Sequence, residues 1–123
     1  MQKKVLIVDD SPMIRHVVSQ IVKDSGFRVL VAKDGKEGYD MAKGQHPDLV
    51  IMDVEMPVMD GIEATTLITS DPDTAHIPVM IFTSLGCEDD LQRAQAAGCR
   101  RILNKPISRE TLRAALEEIL GGP

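Results

Sequence analysis

A chain of 123 residues suffices for one domain with a single buried core and is too short for two comfortable ones. Hydrophobic content of 43% and charged content of 27% are those of a globular protein, and seven Pro and nine Gly gather into no low-complexity tract. The formal net charge of −5 argues against nucleic-acid binding through a basic face, no apolar run nears the ~18 residues of a membrane span, and the opening MQKK lacks the apolar core of a signal peptide.

These features predict a cytoplasmic chain with no membrane and no direct nucleic-acid partner. Cys87 and Cys99, the only two cysteines, form no CxxC and have no nearby His, so free thiols are expected rather than a disulfide framework or a zinc site.

In chain order, Val5 to Val8 is a short β-branched run of the kind found in fully buried strands. Ser11 can cap a helix with Pro12 in its first position, and Ile14, Val17, Val18, Ile21 and Val22 then repeat at helical spacing until Gly26. Phe27 to Ala32 predicts a second strand, and Asp34 with Glu37 a capping box that opens a short helix to Lys43. His46-Pro47 breaks the chain before a third strand, Leu49 to Met52.

Asp60 and Glu63 make a second capping box for a helix through about Ile68, ended by Asp71-Pro72. Ile77 to Thr83 predicts a fourth strand, followed after Gly86 by a thinly patterned helix around Leu91, Ala94 and Ala97. A fifth strand at Arg101 to Leu103 and a helix with Leu112, Ala115, Leu116, Ile119 and Leu120 complete five βα repeats. Such alternation implies an α/β fold, a doubly wound five-stranded parallel sheet of order 2-1-3-4-5 covered on both faces. Ligands in such sheets bind at the carboxyl ends of the strands, where the winding reverses.

The residues at or just past the ends of the predicted strands are Asp9 and Asp10, Asp53, Thr83 and Lys105. Any one of these is ordinarily a helix cap, a turn former or a solvated side chain; independent accidents rarely place all of them on one rim. Clustered carboxylates with room for water suit Mg²⁺ better than a dedicated Ca²⁺ cage. Beside such an ion Asp53 is a candidate nucleophile toward phosphorus, with Lys105 sharing the countercharge and Thr83 offering a hydroxyl to a phosphoryl oxygen.

VLIVDDS, DLVIMDVEMPVMDG, IPVMIFTS and NKP, in this order and at these separations, resemble the receiver domain of two-component response regulators, the CheY-like family, across nearly the whole chain. The resemblance implies that Asp53 is the phosphoacceptor, taking its phosphoryl group from the phosphohistidine of a sensor histidine kinase or a histidine phosphotransfer protein. It implies Asp10, Asp53 and the backbone carbonyl of Glu55 as Mg²⁺ ligands, with Asp9 supporting the ion through water. Thr83 resembles the switch hydroxyl and Lys105 the phosphoryl-contacting ammonium, before a Lys105-Pro106 bond that is commonly cis in receivers.

By the same resemblance the face of the fourth helix, fifth strand and fifth helix is read by a downstream target protein or output domain. Phosphorylation would shift its population between two states. Ile102 stands where the family usually has Tyr or Phe, which predicts a muted response of that face. Glu55 and Leu85 occupy the two positions that tune phosphoryl lifetime, and Ser84 is small enough to leave the site open to a donor. The chain is no enzyme in this reading beyond catalysing its own phosphorylation and dephosphorylation.

Residues 1–121 are expected to be the receiver and 122–123 a tail or linker remnant. The alternative is the N-terminal receiver of a longer regulator whose DNA-binding or enzymatic output follows. A third class, an aspartyl-phosphate phosphohydrolase, lacks its usual DxD nucleophile motif here. His16, His46 and His76 are expected to be dispersed and solvated, Tyr39 and the two Phe to be core or half-buried fillers, and Arg100, Arg101, Arg109 and Arg113 to put positive charge near the last strand and helix, as solvated surface or as a docking patch.

Overall fold

Five short runs of Val, Ile, Leu and Met become five strands, each followed by a helix, in the computed structural model, which describes residues 2–56, 58–83 and 88–121. The elements are β1 (Lys4–Val8), α1 (Pro12–Asp24), β2 (Arg28–Ala32), α2 (Gly35–Gln45), β3 (Leu49–Asp53), α3 (Gly61–Ser70), β4 (Val79–Thr83), α4 (Glu88–Ala96), β5 (Arg101–Asn104) and α5 (Arg109–Leu120). All strand pairs are parallel, in the order β2-β1-β3-β4-β5. The expected sheet is the observed one.

The three central strands show no polar alternation because both their faces are covered. Val5 and Ile7 of β1, Leu49 and Ile51 of β3, and Met80 and Phe82 of β4 join Val18, Ile21, Val22, Leu112, Ala115 and Leu116 of α1 and α5 in one core. The intervening Leu6, Val8, Val50, Met52, Val79 and Ile81 pack against Ala42, Ile62, Ala64, Ile68 and Ala94 of α2, α3 and α4 on the other side. The chain moves to opposite faces on leaving β1 and β3, so the winding reverses between these two neighbours, as required for a rim site.

Helix ends follow from local chemistry. Ser11 accepts from the Ile14 amide and Pro12 fills the first turn of α1. Its far end is a Schellman motif: Gly26 (φ 95) donates to the Lys23 carbonyl and Phe27 to that of Val22. Phe27 thus belongs to the helix cap, buried at 3% exposure, and β2 starts one residue later than the hydrophobic run suggested.

Asp34 accepts from Glu37 N and Asp60 from Glu63 N, both at 2.8 Å. Glu37 returns its carboxylate to the Lys33 amide instead of to the cap's own. α2 runs past Lys43 to Gln45 because His46 (φ 49) supplies the left-handed cap. Pro78, with no N–H to give, still offers its carbonyl to Val50, which delays β4 to Val79. Ser108, unremarked in the sequence, caps α5 through the Thr111 amide.

α2 is tied to the turn after α3 by Asp71, whose carboxylate accepts from Tyr39 Oη at 2.5 Å and Lys43 Nζ at 2.8 Å. Those hydrogen bonds, Lys43 first, lower its pKa to about 2. Tyr39 is accordingly a half-buried filler with a polar task, and both Phe are buried. His46 and His76 are not dispersed: they lie in the turns that enter the neighbouring strands β3 and β4, which brings their rings to 6.5 Å.

Candidate functional site

Asp53 is the last residue of β3, not the residue just past it as the apolar run suggested, and Thr83 is the last of β4, where the predicted strand ended. The ladder continues because Asp53 lies opposite Phe82 and Val54 N donates to the Phe82 carbonyl at 3.1 Å. Asp9 and Asp10 follow β1 directly, and Lys105 follows β5, its amide donating to the Thr83 carbonyl at 2.8 Å. β-Pairing alone therefore gathers the rim.

The turn after Asp53 is fixed at close quarters. A Cβ on Gly61 would lie 1.9 Å from the Asp53 carbonyl oxygen, so only glycine lets α3 begin there, and Gly61 N donates back to the Val54 carbonyl at 3.0 Å. Val58 in the same turn has φ 70 and is 83% exposed. It is a β-branched residue in the left-handed region.

Lys105 Nζ donates to Asp53 Oδ1 at 2.6 Å and stands 3.8 Å from Asp9 Oδ2. Asp9 and Asp53 are each 3% exposed, and Thr83 is 4% exposed. One carboxylate oxygen from each of Asp9, Asp10 and Asp53 lies within 4.8 Å of the others, with Asp10 on the exposed side. Two buried carboxylates share one ammonium.

Burial pushes the Asp53 pKa up, and the Asp9 charge adds to the rise. The Lys105 hydrogen bond and the Glu55 amide pull it back only in part. Burial likewise raises Asp9, against the Ser11 amide and the Lys105 charge. For Lys105, burial opposes the charged form, but the hydrogen bond and charge of Asp53, with the charges of Asp9 and Glu55, hold its pKa above the ordinary lysine range. One cation fully engaged and two carboxylates still pushed toward neutrality describe a site short of positive charge.

A hard divalent ion fits this donor set: all-oxygen, three carboxylates, and open to water on the Asp10 side. Among the described residues no other group of three or more His, Cys, Asp or Glu is gathered in this way. Thr83 is buried at the end of β4, the strand beside that of Asp53, and Lys105-Pro106 is cis, as the resemblance implied. Glu55 is exposed at the rim. Ser84, Leu85, Pro57, Gly86 and Cys87 lie outside the described residues.

Sequence reasoning missed Arg15. Its Nη1 donates to the Asp9 carbonyl at 2.7 Å from α1. The available signal was a cation four residues into a helix whose first turn carries no acid, where the macrodipole disfavours positive charge. Of the four arginines expected near β5 and α5, Arg101 pairs with Glu118 and Arg109 with Asp24, which leaves less net charge there than the sequence suggests.

The family model for the response regulator receiver domain matches residues 5–117. Among curated proteins, protein PilH of Pseudomonas aeruginosa is 37% identical, over 97% of this chain and 98% of its own length. The polar-differentiation response regulator DivK of Brucella ovis is 31% identical, over 98% of each. Chemotaxis protein CheY4 of Vibrio cholerae superposes with a TM-score of 0.91 at 34% identity, covering 97% of this chain and 99% of that one. The receiver domain of a sensor histidine kinase from Pseudomonas aeruginosa, described with a magnesium ion coordinated in its active site cleft, gives 0.91 at 28% identity, over 99% and 100%. No helix among the described residues is long and apolar enough to cross a membrane.

Proposed function

Since this chain belongs to the response regulator receiver domain family, we propose that it is a cytoplasmic phosphorylation switch whose acceptor is Asp53. The observation that carries this is the buried Asp53 carboxylate, hydrogen-bonded at 2.6 Å to Lys105 inside a cluster of acidic oxygens. In the transfer, an Asp53 oxygen forms a bond to phosphorus as the bond from phosphorus to the donor's histidine nitrogen breaks. The imidazole leaves and takes a proton from solvent.

Asp10, Asp53 and the Glu55 carbonyl are the residues we assign to Mg²⁺, with Asp9 supporting it through water. Bound there, the ion supplies countercharge for the phosphoryl oxygens. Lys105 exchanges its hydrogen bond to Asp53 for one to a phosphoryl oxygen, and Thr83 donates its hydroxyl to another, drawing the end of β4 inward. The α4-β5-α5 face then presents a different surface to a downstream protein. Partner kinase or phosphotransfer protein and downstream target fill the roles general to receivers, and the chain turns over no other substrate.

The test is intact mass after incubation with Mg²⁺ and acetyl phosphate. One alkali-labile phosphoryl adduct is expected, absent without metal and absent in Asp53→Asn. An adduct that persists in Asp53→Asn removes the assignment.

A further inference from the structure

Asp10 is the exposed member of the acidic cluster, and it sits in the three-residue turn between β1 and α1. What holds that turn is not Asp10 but its neighbour. Every polar group of Asp9 is engaged: its N–H donates to the Ala32 carbonyl at 3.1 Å, Oδ1 accepts from Ser11 N at 2.9 Å, and Oδ2 faces Lys105 at 3.8 Å. The remaining group, the Asp9 carbonyl, lies at the peptide linking Asp9 to Asp10 and accepts from Arg15 Nη1 at 2.7 Å.

Arg15 is a costly choice for that task, since a cation near a helix N-terminus runs against the helix dipole by about 0.3–1 kcal/mol. Its positive charge suits carboxylates that are short of it, yet competes there with a bound cation. Charge alone leaves unexplained why the guanidinium is hydrogen-bonded to the Asp9–Asp10 peptide. We propose that Arg15 is a positioning residue of the acidic site, clamping the Asp9 carbonyl so that the next side chain, Asp10, is held toward the metal. The proposal rests on the assignment of that cluster to Mg²⁺ and extends it to a residue outside the ligand set.

Charge and clamp predict opposite signs. If Arg15 acts only through its charge, removing it relieves repulsion and Mg²⁺ binds more tightly. If it acts through the clamp, Mg²⁺ binds more weakly, because outer partners that orient metal-binding carboxylates are worth about 10-fold or more in affinity. The measurement is Mg²⁺ titration by calorimetry on the wild type, Arg15→Ala, Arg15→Lys and His16→Ala, with amide hydrogen exchange at Ser11 and melting temperature as companions.

Arg15→Ala is expected to weaken Mg²⁺ by about 10-fold or more and to speed Ser11 exchange. Arg15→Lys, whose ammonium keeps the charge and much of the reach, recovers part of the loss, and His16→Ala, an exposed neighbour on the same turn, changes neither. Binding that is unchanged or tighter in Arg15→Ala with its melting temperature retained, or an equal loss in His16→Ala, overturns the clamp and leaves the Mg²⁺ assignment standing. A wild type that binds no Mg²⁺ takes down both.

Discussion

Val58 illustrates a residue whose neighbours in sequence set its backbone against its side chain. The turn between Asp53 and the Asp60 cap puts it at φ 70, which a β-branched residue tolerates poorly, and it is 83% exposed, so packing offsets little of that strain. Asn accepts the left-handed region readily, and Val58→Asn is expected to stabilise the fold by about 1 kcal/mol, read as a higher urea midpoint at unchanged slope. An equal or lower midpoint would mean that Val58 makes a contact worth its strain. At this scale the motif residues Asp53, Asp10, Thr83 and Lys105 were legible because carboxylate, hydroxyl and ammonium each follow an apolar run. Arg15 was not, since its bond to the Asp9 carbonyl joins a side chain to a backbone atom that leaves no mark in a sequence pattern.

At the scale of elements, β5 carries the sharpest departure from the family pattern. Ile102 sits half-buried against the α2-α3-α4 side of the sheet, beside Ile81 of β4, where an aromatic ring would be expected. An aliphatic side chain has less volume to exchange between two packings when Thr83 moves. Amide shift changes in α4 and β5 on adding beryllofluoride with Mg²⁺ are therefore expected to be smaller in the wild type than in Ile102→Tyr, and wild-type changes as large as the variant's would refute this. Element types were legible from periodicity, whereas their ends moved by one to two residues. Phe27 was drawn into a helix cap, Pro78 delayed β4, and Asp53 was drawn into β3 by the ladder with β4.

For the molecule as a whole, the rim is a stability cost that a cation relieves. Asp9 and Asp53 both have pKa values raised above 3.8. The stability they contribute is present below that value, where both are protonated folded or unfolded, and is lost as pH rises through their folded values. At neutral pH without divalent metal, Asp53→Asn is thus expected to melt higher than the wild type. Added Mg²⁺ should raise the wild type's melting temperature more than the variant's. A metal-free variant that melts lower would mean that the ion pair with Lys105 outweighs the burial of its carboxylate. Asp71 has the opposite sign: held at about 2, it contributes stability that is present above 3.8 and lost as pH falls toward that lower value.

The amino-acid order by itself determined the alternation of strands and helices, the parallel sheet they imply, and the carboxyl-end rim on which the acidic, hydroxyl and ammonium groups fall. Hydrophobic period and capping chemistry act over a few residues and are written in the chain directly. Only the tertiary structure decided which charge answers which. Lys105 reaches Asp53 across 52 positions of sequence, His46 meets His76 because their strands are neighbours, and Arg101 and Arg109 are partnered by carboxylates on helices that pack nearby. Electrostatic partners are set by distances of a few ångströms and by burial, and neither exists until the sheet has been wound.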